Sequence, residues 1–143
     1  FMNSPEDESS SGIEFESISQ LTKRLNLRAT LTHFITKPAS QYRLSDDLAS
    51  VLLNYAHYPW NLNVGASYQG SSSRPDASGT PAALPAYWTA DLKVSYKFNQ
   101  QLTTFLESSN VFNEDYGTAS QGVLTDGVPN RGLEARVGLN YSF

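Results

Sequence analysis

The chain has 143 residues with 39% hydrophobic, 12% aromatic and 17% charged side chains, no cysteine and a net charge of −4. Disulfides, thiol catalysis and cysteine-ligated metals are excluded, the acidic balance speaks against a nucleic-acid surface, and two histidines leave little for a metal site. No run approaches the roughly 18 uninterrupted apolar residues of a spanning helix, yet a spanning barrel needs only every second residue apolar and keeps a soluble protein's average hydropathy.

Residues 1–11 are acidic, small and polar and read as a loop. No secretion signal is visible, and a first residue that is not methionine suggests a piece of a longer protein. Gly12 to Gln20 holds Ile13 and Phe15 in strand phase, with Ile18 out of phase. Leu25 to Ile35 alternates cleanly: Leu25, Leu27, Ala29, Leu31, His33 and Ile35 share one face, and Asn26, Arg28, Thr30 and Thr32 the other. Ser50 to Tyr58 is apolar on both faces around Leu52 and Leu53. Leu62, Val64, Ala66 and Tyr68 alternate with Asn61, Asn63, Gly65 and Ser67. Trp88 to Phe98 places Ala90, Leu92, Val94 and Tyr96 opposite Asp91, Lys93, Ser95 and Lys97. Leu102 to Phe112 has Leu102, Thr104 and Leu106 in phase, with Phe105 opposing. Leu133 to Phe143 alternates Ala135, Val137, Leu139 and Tyr141 with Glu134, Arg136, Gly138 and Asn140. The pattern predicts seven strands of roughly nine to eleven residues, the length a tilted strand needs to cross a bilayer.

Connections alternate in length: short at 21–24, 58–60 and 99–101, long at 37–49, 70–86 and 113–131. That asymmetry fits an outer-membrane barrel better than a soluble meander. Tyr58, Trp60, Tyr96, Phe98, Tyr141 and Phe143 fall at the short-turn rim, and Phe15, Tyr68 and Trp88 at the other, as two interfacial belts would. The apolar face of the four cleanest strands carries no Asp, Glu, Lys or Arg, while Arg28, Asp91, Lys93, Lys97, Glu134 and Arg136 lie opposite. An Arg or Lys turned to midplane lipid costs about 2–4 kcal/mol, which gives this segregation a cause. A soluble lipocalin-like barrel would segregate in the same way around an apolar interior.

Arg131 to Phe143 resembles the last strand of TonB-dependent outer-membrane receptors, in which an Arg-Gly element precedes an alternating strand ending aromatic-polar-Phe. Leu106 to Tyr116 resembles that family's "n-v-e-N-L-f-D-k-x-Y" segment. Asn110, Phe112 and Tyr116 match it, while Ser109, Val111 and Asn113 depart from its acidic residue, Leu and Asp. Tyr87 to Tyr96 and Gly12 to Glu16 resemble two further strand motifs of the family, so the likeness runs from Gly12 to the last residue. The resemblance implies an all-β antiparallel barrel of 22 strands around an N-terminal plug. This chain would supply about the last seven strands over residues 12–143, with 1–11 as an extracellular loop. It further implies a Gram-negative outer-membrane importer of a scarce nutrient, a ferric siderophore first, or haem, cobalamin or a glycan. Its partners would be outer-membrane lipid, the rest of the barrel and its plug, TonB through that plug, and the barrel assembly machinery. The plug and its TonB-contacting box are not in this sequence. Parity agrees: a bacterial barrel has an even strand number, and seven strands would leave two edges unpaired in lipid.

No catalytic, metal or cofactor constellation stands out. His33 and His57 lie on separate strands without a nearby carboxylate pattern and read as interfacial or loop-covered. Glu134 and Arg136 with Asp91, Lys93 and Lys97 could form a charged ladder, either packing against water or a plug, or touching ligand. Glu6, Asp7 and Glu8 read as a solvated loop. Tyr42, Arg43, Arg74, Asp76, Asp126 and Arg131 sit in long loops, where specificity would lie, and the sequence does not rank them. Asp126-Gly127 and Asn130-Arg131-Gly132 read as turns. Tyr141 and Phe143 read as an aromatic belt and, by resemblance, as the signal for barrel assembly. Two rival readings are an outer-membrane hydrolase barrel, which needs a catalytic group on the outer rim, and a small soluble barrel binding an apolar ligand.

Overall fold

A computed structural model describes residues 8–38, 41, 43–75, 81–119 and 128–143. Seven long strands form one antiparallel sheet in which each pairs with its sequence neighbours: β1 (Ser11–Thr22), β2 (Leu25–Thr36), β3 (Asp47–His57), β4 (Trp60–Gln69), β7 (Tyr87–Lys97), β8 (Leu102–Ser109) and β11 (Glu134–Tyr141). Two small hairpins lie in the long connections, β5 (Ser72–Pro75) with β6 (Pro81–Leu84) and β9 (Gly117–Thr118) with β10 (Val128–Pro129). All seven strands expected from alternation are present. The two hairpins are not foreshadowed, because four- and two-residue strands are too short to show a period.

Hairpin connections set the register. At the first short turn, Thr22 Oγ1 accepts from the backbone N–H groups of Arg24 and Leu25, each at 3.1 Å. At the third, Asn99 Oδ1 accepts from Gln101 and Leu102 at 2.9 and 2.8 Å, an Asx turn. The second is Tyr58–Pro59, joined by a cis peptide bond.

Directly opposed residues of antiparallel strands share a face, so the pairings show which side chains lie together. Row by row, Leu31 faces Phe15 and Ala49, Leu27 faces Leu53, Leu53 faces Val64, Val64 faces Leu92, and Val94 faces Leu106, which faces Val137. One mainly apolar face therefore runs across all seven strands, with Ser17, Ser19, Thr104 and Ser108 as small hydroxyls on it. Asp47 is the charged exception on it, at the long-loop rim opposite His33. Glu14, Glu16, Arg28, Asp91, Lys93, Lys97, Glu107, Glu134 and Arg136 all project from the other face.

Neither face is covered. Val137 and Leu139 on edge strand β11 are 74% and 70% exposed, and Ile18, out of phase on β1, is 73% exposed on the polar side opposite Arg28. β1 and β11 are the two edges of an open sheet. Among the described residues the buried hydrophobic side chain is Leu84, at the long-loop rim, not in the wall.

Candidate functional site

The polar face is knitted by cross-strand contacts. Arg28 donates from Nε and Nη2 to Glu16 Oε1 at 3.0 and 2.7 Å, bridging β2 to β1. Thr30 and Ser50 hydroxyls meet at 2.7 Å. Asn54 Nδ2 donates to Asn63 Oδ1 at 2.8 Å and to Asn61 Oδ1 at 3.2 Å, and Asn63 Nδ2 donates to Asn61 Oδ1 at 2.8 Å. Glu107 lies between two cations: Lys93 Nζ on β7 at 3.3 Å and Arg136 Nη2 on β11 at 2.7 Å. The Lys93 ammonium also sits 5.2 Å from the centre of the Phe105 ring. That ring lies on Gly138, where an added Cβ would collide with Phe105 Cζ.

The expected ladder is thus smaller and differently centred. Glu107 holds Lys93 and Arg136 because the register sets it directly opposite both. Glu134 turns instead to Arg131, at 3.4 Å, and Asp91 accepts from the Asn110 backbone N–H at 3.0 Å. Lys97 lies at the short-turn end of the face, opposite Thr103. Glu107 is absent from the ladder read from sequence, although its parity with Phe105 already placed it on the polar face.

His33 also departs from expectation. Its Nδ1 lies 2.7 Å from Asp47 Oδ1, so it has a carboxylate partner. The sequence pattern hid this because Asp47 sits 14 positions away, and its stretch reads as loop rather than as the first residue of β3. No group of three or more metal-ligating side chains occurs among the described residues. Glu6, Asp7, Tyr42, Asp76, Asp126 and the Arg74 side chain lie outside the described residues, as does the Asp126-Gly127 turn. Residues 8–10 have no regular structure, and Ser11, counted with the leading loop, opens β1.

At the long-loop rim, polar groups are buried. Ser45 is 1% exposed, its hydroxyl donating to Asp47 O at 2.8 Å and accepting from Asp47 N at 3.2 Å. Lys37 Nζ pairs with Asp46 Oδ1 at 2.6 Å, joining the two arms of the first long loop. Asn110, 6% exposed with φ +49°, sits where β8 ends. Its Oδ1 accepts from Glu114 N at 2.9 Å and its Nδ2 donates to Glu114 O at 2.8 Å. Tyr116 stacks on Tyr87 at 3.9 Å with planes 10° apart, and the Tyr87 hydroxyl donates to Gln69 Oε1 at 2.9 Å. The two rings border a shallow concavity of about 310 Å³ that also takes in Thr30, Ser50, Ser67 and Thr89.

A family model described as "TonB dependent receptor-like, beta-barrel" matches residues 1–111. The chain belongs to this family. Over 79 residues it is 35% identical to the catecholate siderophore receptor Fiu of Escherichia coli K12, covering 54% of the chain and 9% of that receptor. The solved open form of Fiu, the ferric-catecholate import receptor of E. coli K12, superposes with a TM-score of 0.81 at 22% identity. It covers 94% of this chain, which matches 21% of Fiu. The ferripyoverdine receptor of Pseudomonas aeruginosa superposes at 0.79 with 21% identity, over 94% of this chain and 19% of that receptor. The chain therefore spans about a fifth or less of the relatives it matches. As a TonB-dependent receptor barrel segment it is an outer-membrane protein of a Gram-negative cell.

The family motifs acquire physical roles here. Asn110 supplies the left-handed residue and the buried carboxamide of the turn. Phe112 packs beside Trp88, centroids 5.1 Å apart, and Tyr116 provides the stack on Tyr87. Trp60, Tyr96 and Phe98 form an edge-to-face series at the short-turn rim, with successive centroids 4.7 Å apart. Tyr141 and Phe143 repeat that contact at 5.2 Å and 84°. Val111 N donates to Ala90 O at 2.8 Å, so the departure from Leu at this position leaves the backbone pairing in place.

Proposed function

We propose that this chain is part of the wall and outer loops of a TonB-dependent receptor that imports a ferric siderophore, a ferric catecholate first among the candidates. Identity to Fiu carries the substrate class. The role is transport, not catalysis: the named relatives are receptors. In this reading the apolar face meets lipid and the polar face lines the lumen, so Arg28, Asp91, Lys93, Glu134 and Arg136 face the plug and the water around it. Supporting this is the confinement of charge to one face, since an Arg or Lys facing midplane lipid costs about 2–4 kcal/mol. His33 and Asp47 sit level with the outer headgroups, one residue pair beyond the Phe15–Leu31–Ala49 row. From Ser11, where β1 opens, the chain is barrel wall and loops, and the segment before it belongs to the extracellular side. Strand edges β1 and β11 pair with other strands of the parent barrel, because an open edge is not tolerated in lipid. Plug and TonB supply gating, and Tyr141 with Phe143 serves both as interfacial belt and as the feature read by the assembly machinery.

Deleting the parent gene tests this. Growth on iron presented as the 2,3-dihydroxybenzoate complex should fall and return with the intact gene; unchanged growth and unchanged uptake of labelled iron would refute the substrate class.

A further inference from the structure

We infer that Asn110 is a positioning residue that fastens both arms of the last long loop to the wall and seats Tyr116 on Tyr87. Four observations converge on it. First, Asn110 is a polar side chain buried at the end of an otherwise uncovered sheet. Its carboxamide is used at both ends, accepting from the Glu114 N–H and donating to the Glu114 carbonyl. Second, its backbone N–H donates to Asp91 on the neighbouring strand β7, so the turn is tied laterally to the wall.

Third, the same Glu114 carbonyl accepts from Asn130 Nδ2 at 2.7 Å, and Asn130 N donates to Tyr116 O at 3.2 Å. The outgoing and returning arms are thereby joined at one oxygen, whose two lone pairs are both used. Fourth, Asn113 N donates to Asn110 O at 2.8 Å, and Asn113 Oδ1 accepts from Leu133 N at 2.9 Å, where the chain re-enters β11. Asn113 has φ +54° and Gly132 φ +71°. A Cβ on Gly132 would come within 2.7 Å of Asn113 Oδ1, so the contact requires glycine there.

The consequence lies two residues beyond Glu114. With Glu114 fixed from both sides, Tyr116 enters its stack on Tyr87 at the edge of the concavity on the polar face. Asn tolerates the left-handed region and carries both a donor and an acceptor. Glycine would keep the backbone and lose the carboxamide, which separates the two roles.

The test is hydrogen–deuterium exchange on the intact receptor in outer-membrane vesicles, comparing Asn110→Gly and Asn130→Ala with wild type. Asn110→Gly should speed exchange at least tenfold in 113–118 and also in 128–134, although the described hydrogen bonds of the Asn110 side chain go to Glu114. Peptides from 47–69 should be unchanged. Asn130→Ala leaves β8 untouched and should speed 128–134 similarly; if Asn110→Gly fails to accumulate, Asn110→Asp, which tolerates the same φ and keeps the acceptor but loses the Nδ2 donor, should speed both stretches. Wild-type exchange of 128–134 in the variants that accumulate would overturn the inference.

A second arm rests on the import reading above. Using the iron complex of 2,3-dihydroxybenzoate, Asn110→Gly should raise the half-saturation of uptake at least threefold with maximal rate unchanged. A lowered maximal rate with unaltered half-saturation would overturn the positioning role. If wild type imports none of this probe, the import reading falls, while the exchange result still decides whether Asn110 fastens the loop.

Discussion

The wall and its long-loop rim are held by different physics. Along the middle of the wall, strands pair in long uninterrupted registers, and side chains on both faces remain open to what surrounds them. In the proposed reading its arrangement depends on an environment outside the sheet: hydrocarbon on one side, water and protein on the other. At the rim, burial is local and polar. Ser45, Asn110 and Leu84 are buried there, and hydrogen bonds to buried groups replace an apolar core. The lesson is that an edge-on slice of a barrel can lack a hydrophobic centre and still specify its structure. Register is fixed by two-faced alternation, and loop geometry by a few carboxamides and hydroxyls.

That contrast can be broken most severely in the wall. Leu92→Arg places a charge at the middle of the apolar face, opposite Val64. It should cost about 2–4 kcal/mol of folding stability in bilayers, read from refolding titrations in vesicles. Ser95→Arg, three residues away on the other face, should stay within about 0.5 kcal/mol. Equal effects would erase the distinction between faces. Next in size, Gly138→Val would drive a side chain into the Phe105 ring. Overpacking of this kind costs about 1–3 kcal/mol, seen as a lower temperature at which the heat-modifiable band shift occurs. Adding Phe105→Ala should recover most of it. Smallest is Glu107→Gln, which removes the carboxylate shared by Lys93 and Arg136. Its thermal midpoint should fall slightly at low salt and converge on wild type at high salt, because the Lys93 and Arg136 partners are exposed and screened by ions.

Sequence patterning made the wall legible and the rim opaque, for a physical reason. A strand of ten residues repeats its two-fold pattern several times, so Leu25 to Thr36 or Tyr87 to Lys97 declare their faces without any partner. The β3 pattern is less clear because Leu48 and Leu52 lie on the polar face beside Ser50 and Asn54. Phe105 opposed its strand's pattern because Gly138 makes room for the ring. Rim contacts join residues distant in sequence: Asp47 to His33, Asn130 to Glu114, and Tyr87 to Tyr116. No periodicity encodes those. The motif around Asn110 could be noticed by resemblance, but its function as a buried double hydrogen-bonding group required the fold. Glu107 lay within reach of sequence reasoning, since parity alone assigned its face.

In the proposed reading, hydrocarbon touches the apolar face and water the polar one. Nitroxide labels placed one at a time at residues 91–95 of β7 in the intact receptor, reconstituted in bilayers, test it directly. Collision rates with oxygen should peak at 92 and 94, and those with a water-soluble nickel chelate at 91, 93 and 95. The reverse pattern, or no alternation along the strand, would overturn this placement of the two faces.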